Sequence, residues 1–215
     1  MNAAIVRDLP LPQRLALTYA PARAWPLAAG LLALDARLGE IVRGRREPIA
    51  SQLRLAWWRD LLAEAPSQWP LGEPLLEALR AWRNPAPLAA LADGWEGLLG
   101  DLLTADAVAD FVLARGLAWR ALANELELPC EDEAARGGQL WAAADLAANL
   151  SDPAERALAI GQADGVPRPA PLPRELRTLA VLASLGRAAL ARGGAPLLGG
   201  PASVLIALRT GLTGR

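Results

Sequence analysis

The sequence predicts an all-α protein folded as a single domain over residues 1–215, and three observations predict it. Alanine, leucine, arginine and glutamate are abundant throughout, and these are strong helix formers. β-Branched residues are scarce and never alternate with polar ones, so no strand is expected. Proline and glycine collect at a few places where helices should break: NPAP at 84–87, GVPRPAPLP at 165–173, RGGAP at 192–196 and GGP at 199–201.

Between those breaks the elements follow in order. A short helix near 12–19 leads into a long one from Ala22 to Arg43. The next runs from Pro48 to Ala65, with proline at the tolerated first turn. Helices are expected over 72–83 and 87–101. A long one, capped by Thr104 or Asp106, reaches Leu128. Helices at 132–150, 153–163, 173–192 and 201–212 complete the chain. No internal repeat is evident and no linker is long enough to demand a second domain. In the 48–65 helix, Ile49, Leu53, Ala56, Trp57 and Leu61 recur at threes and fours and read as the core stripe, with Trp58 beside it. Trp57, Trp82, Trp119 and Trp141 stand among apolar residues and read as core fillers. The alternative is that some line a greasy cavity for a chain-like ligand.

Composition removes several function classes. The chain is 53% apolar and 21% charged, enough to fill a core. A net charge of −1 supplies no basic field for nucleic acid, and none is expected as a partner. All 22 basic residues are arginine, which reflects biased coding rather than function. Histidine is absent, so the commonest general base and metal ligand are both missing, and no Ser–His triad can form. Cys130 is the single cysteine, which excludes an intrachain disulfide or thiolate zinc site. It stands among acids that raise a thiol pKa, so a reactive nucleophile is not expected. The Gly137–Gly138 pair lacks the strand and motif of a phosphate loop. The N-terminal stretch reads as no targeting segment, and no run of about 18 apolar residues occurs, so no transmembrane segment is expected. The expected location is the cytoplasm, a reducing compartment.

Carboxylates occur at helical pair spacing in three places: Asp60 with Glu64, Asp106 with Asp110, and the cluster Glu131, Asp132, Glu133. Each has an ordinary reading as a solvated face or a favourable charge at a helix start. In LDARLGEIVRGR, Leu34 to Arg45, Asp35 and Glu40 are five residues apart, roughly 140° around the axis, and cannot share an ion from one face. The candidate ligand or partner surface is Arg37, Glu40 and Arg43, which fall within two turns, followed by Arg59 and Asp60. Arginine there suits phosphate or carboxylate recognition. The plainer reading is an exposed charge ladder.

The segment LALDARLGEIVRGRREPIASQLRLAWWRDLL, Leu32 to Leu62, resembles the squalene/phytoene synthase family. Its members carry a helix of the form Y-A-F-C-R-x-x-D-D-x-x-D, followed after a short loop by one ending in L-x-W-W-R-D/E. LRLAWWRDLLAE matches the second well. GEPLLEALRAW at 72–82, DFVLARGLAWRALANELEL at 110–128, ARGGQLWAAADLAANL at 135–150 and RELRTLAVLASLGRAAL at 174–190 resemble later parts of the family. The resemblance implies an isoprenoid-synthase-like helical bundle around a central cavity. In that family two aspartate-rich motifs hold magnesium ions against prenyl diphosphates. Here the first aspartate pair falls on Gly39 and Glu40, the later aspartate on Arg43 and the preceding arginine on Ala36. In the second motif Asp145 is followed at i+4 by Asn149. Both halves are degenerate, as in the branch that includes the mitochondrial complex I assembly factors. The resemblance therefore implies a non-catalytic protein with no catalytic residue, metal or cofactor. It would bind a protein partner or a prenyl, lipid-like ligand, and it is compatible with peripheral membrane contact. The alternative is an active prenyl diphosphate transferase whose rearranged magnesium site draws on Glu40, Asp60, Glu64, Asp106, Asp110 or Asp145.

Overall fold

A computed structural model describes residues 3–44, 48–100 and 102–214. The described residues form eleven α-helices and short 3₁₀ turns, with no strand among them. The helices are α1 (Ala3–Arg7), α2 (Leu11–Leu17), α3 (Trp25–Arg43), α4 (Pro48–Ala63), α5 (Pro74–Leu79), α6 (Ala89–Glu96), α7 (Ala105–Glu125), α8 (Glu131–Asn149), α9 (Pro153–Asp164), α10 (Arg177–Leu190) and α11 (Pro201–Thr213). The protein is all-α.

The helix starts have local causes. Thr104 caps α7, its Oγ1 accepting the Ala107 N–H at 3.2 Å. Asp152 caps α9 by accepting from the N–H groups of Ala154 and Glu155. Glu131, Asp132 and Glu133 stand in the first turn of α8, where the helix dipole favours negative charge. The helix expected over 72–83 is shorter: α5 stops at Leu79, so Trp82 follows a helix end rather than sitting inside one. The helix expected over 87–101 is split into 3₁₀ turns around α6, and its expected last residue, 101, lies outside the described residues. The five-residue α1 was not expected from the sequence.

The central pair is α7 against α8. Their axes approach closely because glycines meet at the crossing. A Cβ added at Gly116 would come within 2.9 Å of the Ala135 carbonyl, and one at Gly138 within 2.7 Å of Trp119 and 3.0 Å of the Arg115 carbonyl. Gly137, one residue away, faces the other side and admits Leu179 of α10. The Gly137–Gly138 pair is thus a packing device that lets α8 touch two neighbours. α6 packs on α7, α4 on α6, and α3 lies across α5, α6 and α7. α2 and α11 cover α10.

One expected face is corrected. The buried seam of α4 is Ser51, Leu55, Trp58 and Leu62, with Leu61 also inside. Ile49, Leu53 and Trp57 face outward, at 73%, 67% and 47% exposure. Both sets recur at threes and fours, so periodicity admits two stripes on this helix, and packing against α6 selects the one bearing Trp58. Trp82, Trp119 and Trp141 are core fillers as expected, whereas Trp57 is not.

Candidate functional site

The chemistry inside the bundle is concentrated on three charged residues from three helices. Asp35 sits on α3, Arg115 on α7 and Asp145 on α8. Apolar neighbours on the same turns drag Asp35 and Arg115 into the core: Leu31, Leu34 and Leu38 around the acid, Phe111, Ala118 and Trp119 around the base. Arg115 reaches both carboxylates. Its Nε and Nη2 donate to the two oxygens of Asp35 at 2.9 and 2.7 Å, and its Nη1 donates to Asp145 at 2.8 Å. Trp95 of α6 adds a fourth strut, its indole N–H donating to Asp35 at 2.9 Å. The guanidinium also lies 4.4 Å from the Trp141 ring centre, 4.7 Å from Phe111 and 5.1 Å from Trp95, so aromatic faces replace part of its lost hydration.

Electrostatics hold the group in place. Burial opposes the charge on Arg115, yet Asp35 and Asp145 together raise its pKa above the ordinary arginine value, so it stays a cation. Burial pushes the Asp35 carboxyl up from the aspartate range, against the pull of Arg115 and the Trp95 hydrogen bond. Asp145 is the member that reaches outward, with 22% of its side chain exposed. It opens on a cavity of about 160 Å³ lined also by Arg43, Leu98, Phe111, Asn149 and Glu155. That volume is below the range of a usual ligand pocket.

Where the resemblance would place a magnesium ion, α3 carries Gly39, Glu40 and Arg43 and α8 carries Asp145 and Asn149, with Asp35 one turn before Gly39. Such an ion needs near-octahedral oxygen ligands at about 2.0–2.1 Å. Both Asp35 oxygens already accept from Arg115, whose guanidinium fills the space between the two carboxylates. A Cβ at Gly39 would stand 2.9 Å from the Trp95 ring and 3.1 Å from the Arg43 guanidinium, so a longer acid there would meet an indole and a cation. Asn149 turns away from the Asp145 carboxylate and donates to its backbone carbonyl at 2.8 Å. Among the described residues no group of three or more cysteine, aspartate or glutamate side chains gathers for a metal.

The surface chosen from sequence is divided by the structure. Arg37 and Glu40 are exposed and, with Glu73, form the shared wall of two shallow depressions. One runs toward Asp8 and Leu75, the other toward Leu53, Arg54 and Trp57. Arg43, also exposed, lines a different cavity, the one beside Asp145. Arg59 bridges α4 to α6, donating to Asp93 at 3.2 Å and Glu96 at 3.1 Å, and pairs with Asp60 at 3.4 Å. Arg59 therefore belongs to an interhelical strut, whereas its pair with Asp60 stays within α4. The other acids are solvated or paired locally: Asp60, Glu64, Asp106 and Asp110 are exposed, Asp132 pairs with Arg120, and Glu133 with Arg136. Cys130 is half-buried, and burial, then Glu131, Glu133 and Glu175, push its thiol pKa up.

Sequence reasoning missed Arg115 and Trp95 and set Asp35 aside. The usable signal was a charge flanked by apolar residues on a core-facing turn, LLALDARL and FVLARGLAW, since a buried charge requires a buried partner. No protein-family model matches the chain, and neither a curated protein nor a solved structure matches it.

Proposed function

We propose that the chain is a catalytically degenerate helical protein of the squalene/phytoene synthase type that binds a protein partner or an apolar, prenyl-like ligand. The observation that carries this reading is the seat of Arg115 between Asp35 and Asp145. Two carboxylates on facing helices are the elements with which a divalent cation could be held against a diphosphate. Here a covalently attached cation stands between them, and an indole covers the adjacent glycine. Arg115 offsets one of the two carboxylate charges and engages both Asp35 oxygens, which supports a non-catalytic reading of the centre. The partner surface in this reading is the outer side of α3 and α4. Arg37 and Glu40 there border the exposed Leu53 and Trp57, an apolar patch with a polar rim of the kind that marks interaction sites. No described helix is long and apolar enough to cross a membrane. A reducing, cytoplasmic setting fits the single unpaired cysteine.

Thermal unfolding with farnesyl and geranylgeranyl diphosphate, with and without magnesium, tests the proposal. A ligand at about 100 times its dissociation constant stabilises the folded state by roughly 2.7 kcal/mol, a readable shift. The expected result is no magnesium-dependent shift and no condensation product. A shift that requires magnesium, accompanied by released pyrophosphate, would overturn the proposal.

A further inference from the structure

The last quarter of the molecule carries a second feature that the buried charge centre does not use. Residues 165–214 contain six arginines, at 168, 174, 177, 187, 192 and 209, against one acid, Glu175. The preceding 164 residues hold fifteen arginines and 22 acids, so the near-neutral chain is strongly polarised. Glu175 is near enough to Cys130 to raise its thiol pKa. Three of the arginines converge. Arg168, Arg187 and Arg209 line one groove of about 350 Å³ between the 168–172 segment, α10 and the end of α11. None of the three makes an ion pair with a described residue; Arg187 donates only to the Ser184 hydroxyl, at 3.5 Å.

Beside this groove α11 presents an apolar face that the described residues leave exposed. Ser203, Ala207 and Thr210 point into the protein. Val204, Leu205, Leu208 and Leu212 point away from it, at 51%, 65%, 49% and 71% exposure. At about 100° per residue these four fall within one arc of roughly 100°, opposite the buried side, and Arg209 stands at the arc's edge. The only charged residue of the helix is this arginine. A surface helix with a leucine-rich outward face and flanking cations lacking acidic partners matches the pattern of interfacial helices. There the apolar face enters the acyl boundary while arginines meet lipid phosphates.

We propose that α11 and the Arg168–Arg187–Arg209 groove form a docking surface for an anionic phospholipid bilayer. Leu205, Leu208 and Leu212 enter the interface, and the three guanidinium groups bind phosphodiester headgroups. Charge complementarity favours a lipid surface over a second copy of this face, because two copies would bring like-charged groups together. This proposal is independent of the reading of the buried centre.

Flotation of the full chain with vesicles tests it, comparing pure phosphatidylcholine with an equimolar mixture of phosphatidylcholine and phosphatidylglycerol. The chain is expected to float with the mixed vesicles and not with phosphatidylcholine alone. The double variant Leu208→Gln/Leu212→Gln should lose binding with an unchanged melting temperature, since both side chains are exposed. Each of R168Q, R187Q and R209Q should weaken partitioning about fivefold, in line with about 1 kcal/mol per basic residue at an anionic surface. Absence of flotation with the mixed vesicles, or equal binding to both, would overturn the proposal. So would a concentration-dependent dimer that the leucine variants abolish, found without vesicle binding.

Discussion

Two arginines in this molecule each gather several carboxylates at similar distances, and their surroundings differ completely. Arg115 meets Asp35 and Asp145 at 2.7 to 2.9 Å with 3% of its side chain exposed. Arg59 meets Asp60, Asp93 and Glu96 at 3.1 to 3.4 Å with 38% exposed. Around Arg59, water and salt offer each group an alternative partner, so the network is worth little. Around Arg115 no alternative exists, and each member depends on the others. An inventory of ion pairs treats the two clusters alike; burial decides which one the fold cannot lose.

The largest expected effect is on the buried side. Arg115→Ala leaves the buried Asp35 without its cation and with the Trp95 N–H as its remaining side-chain donor, and should lower stability by about 3–5 kcal/mol. Against a total of about 5–15 kcal/mol for a domain, that threatens folding itself. The double variant Asp35→Leu/Arg115→Met keeps the test readable. It removes both buried charges, leaves the more exposed Asp145, and should regain most of the loss, because a well-packed apolar pair is often as stable as a buried ion pair. Urea unfolding with an unchanged slope measures both. A single variant that loses less than about 1 kcal/mol would erase the distinction between the clusters.

The adjacent tryptophans of α4 extend the comparison to apolar groups. Trp58 is 5% exposed and Trp57 47% exposed, and their rings meet edge to face at 5.1 Å. Trp58→Ala should cost about 3–5 kcal/mol through lost burial and the cavity left behind. Trp57→Ala should cost less than about 1 kcal/mol, including its share of the ring contact. Equal losses would mean that α4 buries both faces, and would remove Trp57 from the proposed partner surface.

These two cases also show how much was legible in the sequence. Helix content and most breaks follow from propensity and from proline and glycine, and Thr104 was recognisable as a cap by its position. The face of α4 was not legible. Leu53 and Trp57 repeat at the spacing of Leu55, Trp58 and Leu62, and only the position of α6 distinguishes them. The grouping of the candidate surface was only partly legible for a related reason. Arg37, Glu40 and Arg43 look like a cluster on a helical wheel, but Arg43 lines a different cavity from the other two. Asp35 and Arg115 are 80 residues apart, and their meeting depends on the crossing of α3 and α7. What the sequence did offer was each charge alone inside an apolar stretch.

Two glycines provide the next contrast, again between inside and outside. Gly138→Ala puts a methyl group into Trp119 and the Arg115 carbonyl, beside the charge centre, and should destabilise by about 1–3 kcal/mol. Gly161→Ala in α9 meets nothing within 4 Å, and should stabilise by about 0.5–1 kcal/mol by restricting the unfolded chain and improving helix propensity. Thermal melts of the two variants should therefore move in opposite directions. A neutral Gly138→Ala would mean that the α7–α8 crossing can widen, and that the geometry around Arg115 is less constrained than its hydrogen bonds imply.

The smallest effect belongs to Arg59. Its hydrogen bond to Asp93, partly opposed by desolvation, raises the guanidinium pKa, yet the group stands at the surface, where solvent screens most of that interaction. Arg59→Ala should cost less than about 1 kcal/mol, a loss that shrinks further when the melt is repeated near 1 M salt, where the Debye length falls to about 3 Å. Arg115→Ala measured in the same two buffers should keep its full loss, because counterions cannot enter the core to replace the guanidinium. The diagnostic is therefore the difference in salt response between the two variants. If the Arg59 loss is large and salt-independent, the α4–α6 strut is a second structural centre, and the surface acids Asp93 and Glu96 hold the bundle together as Asp35 does.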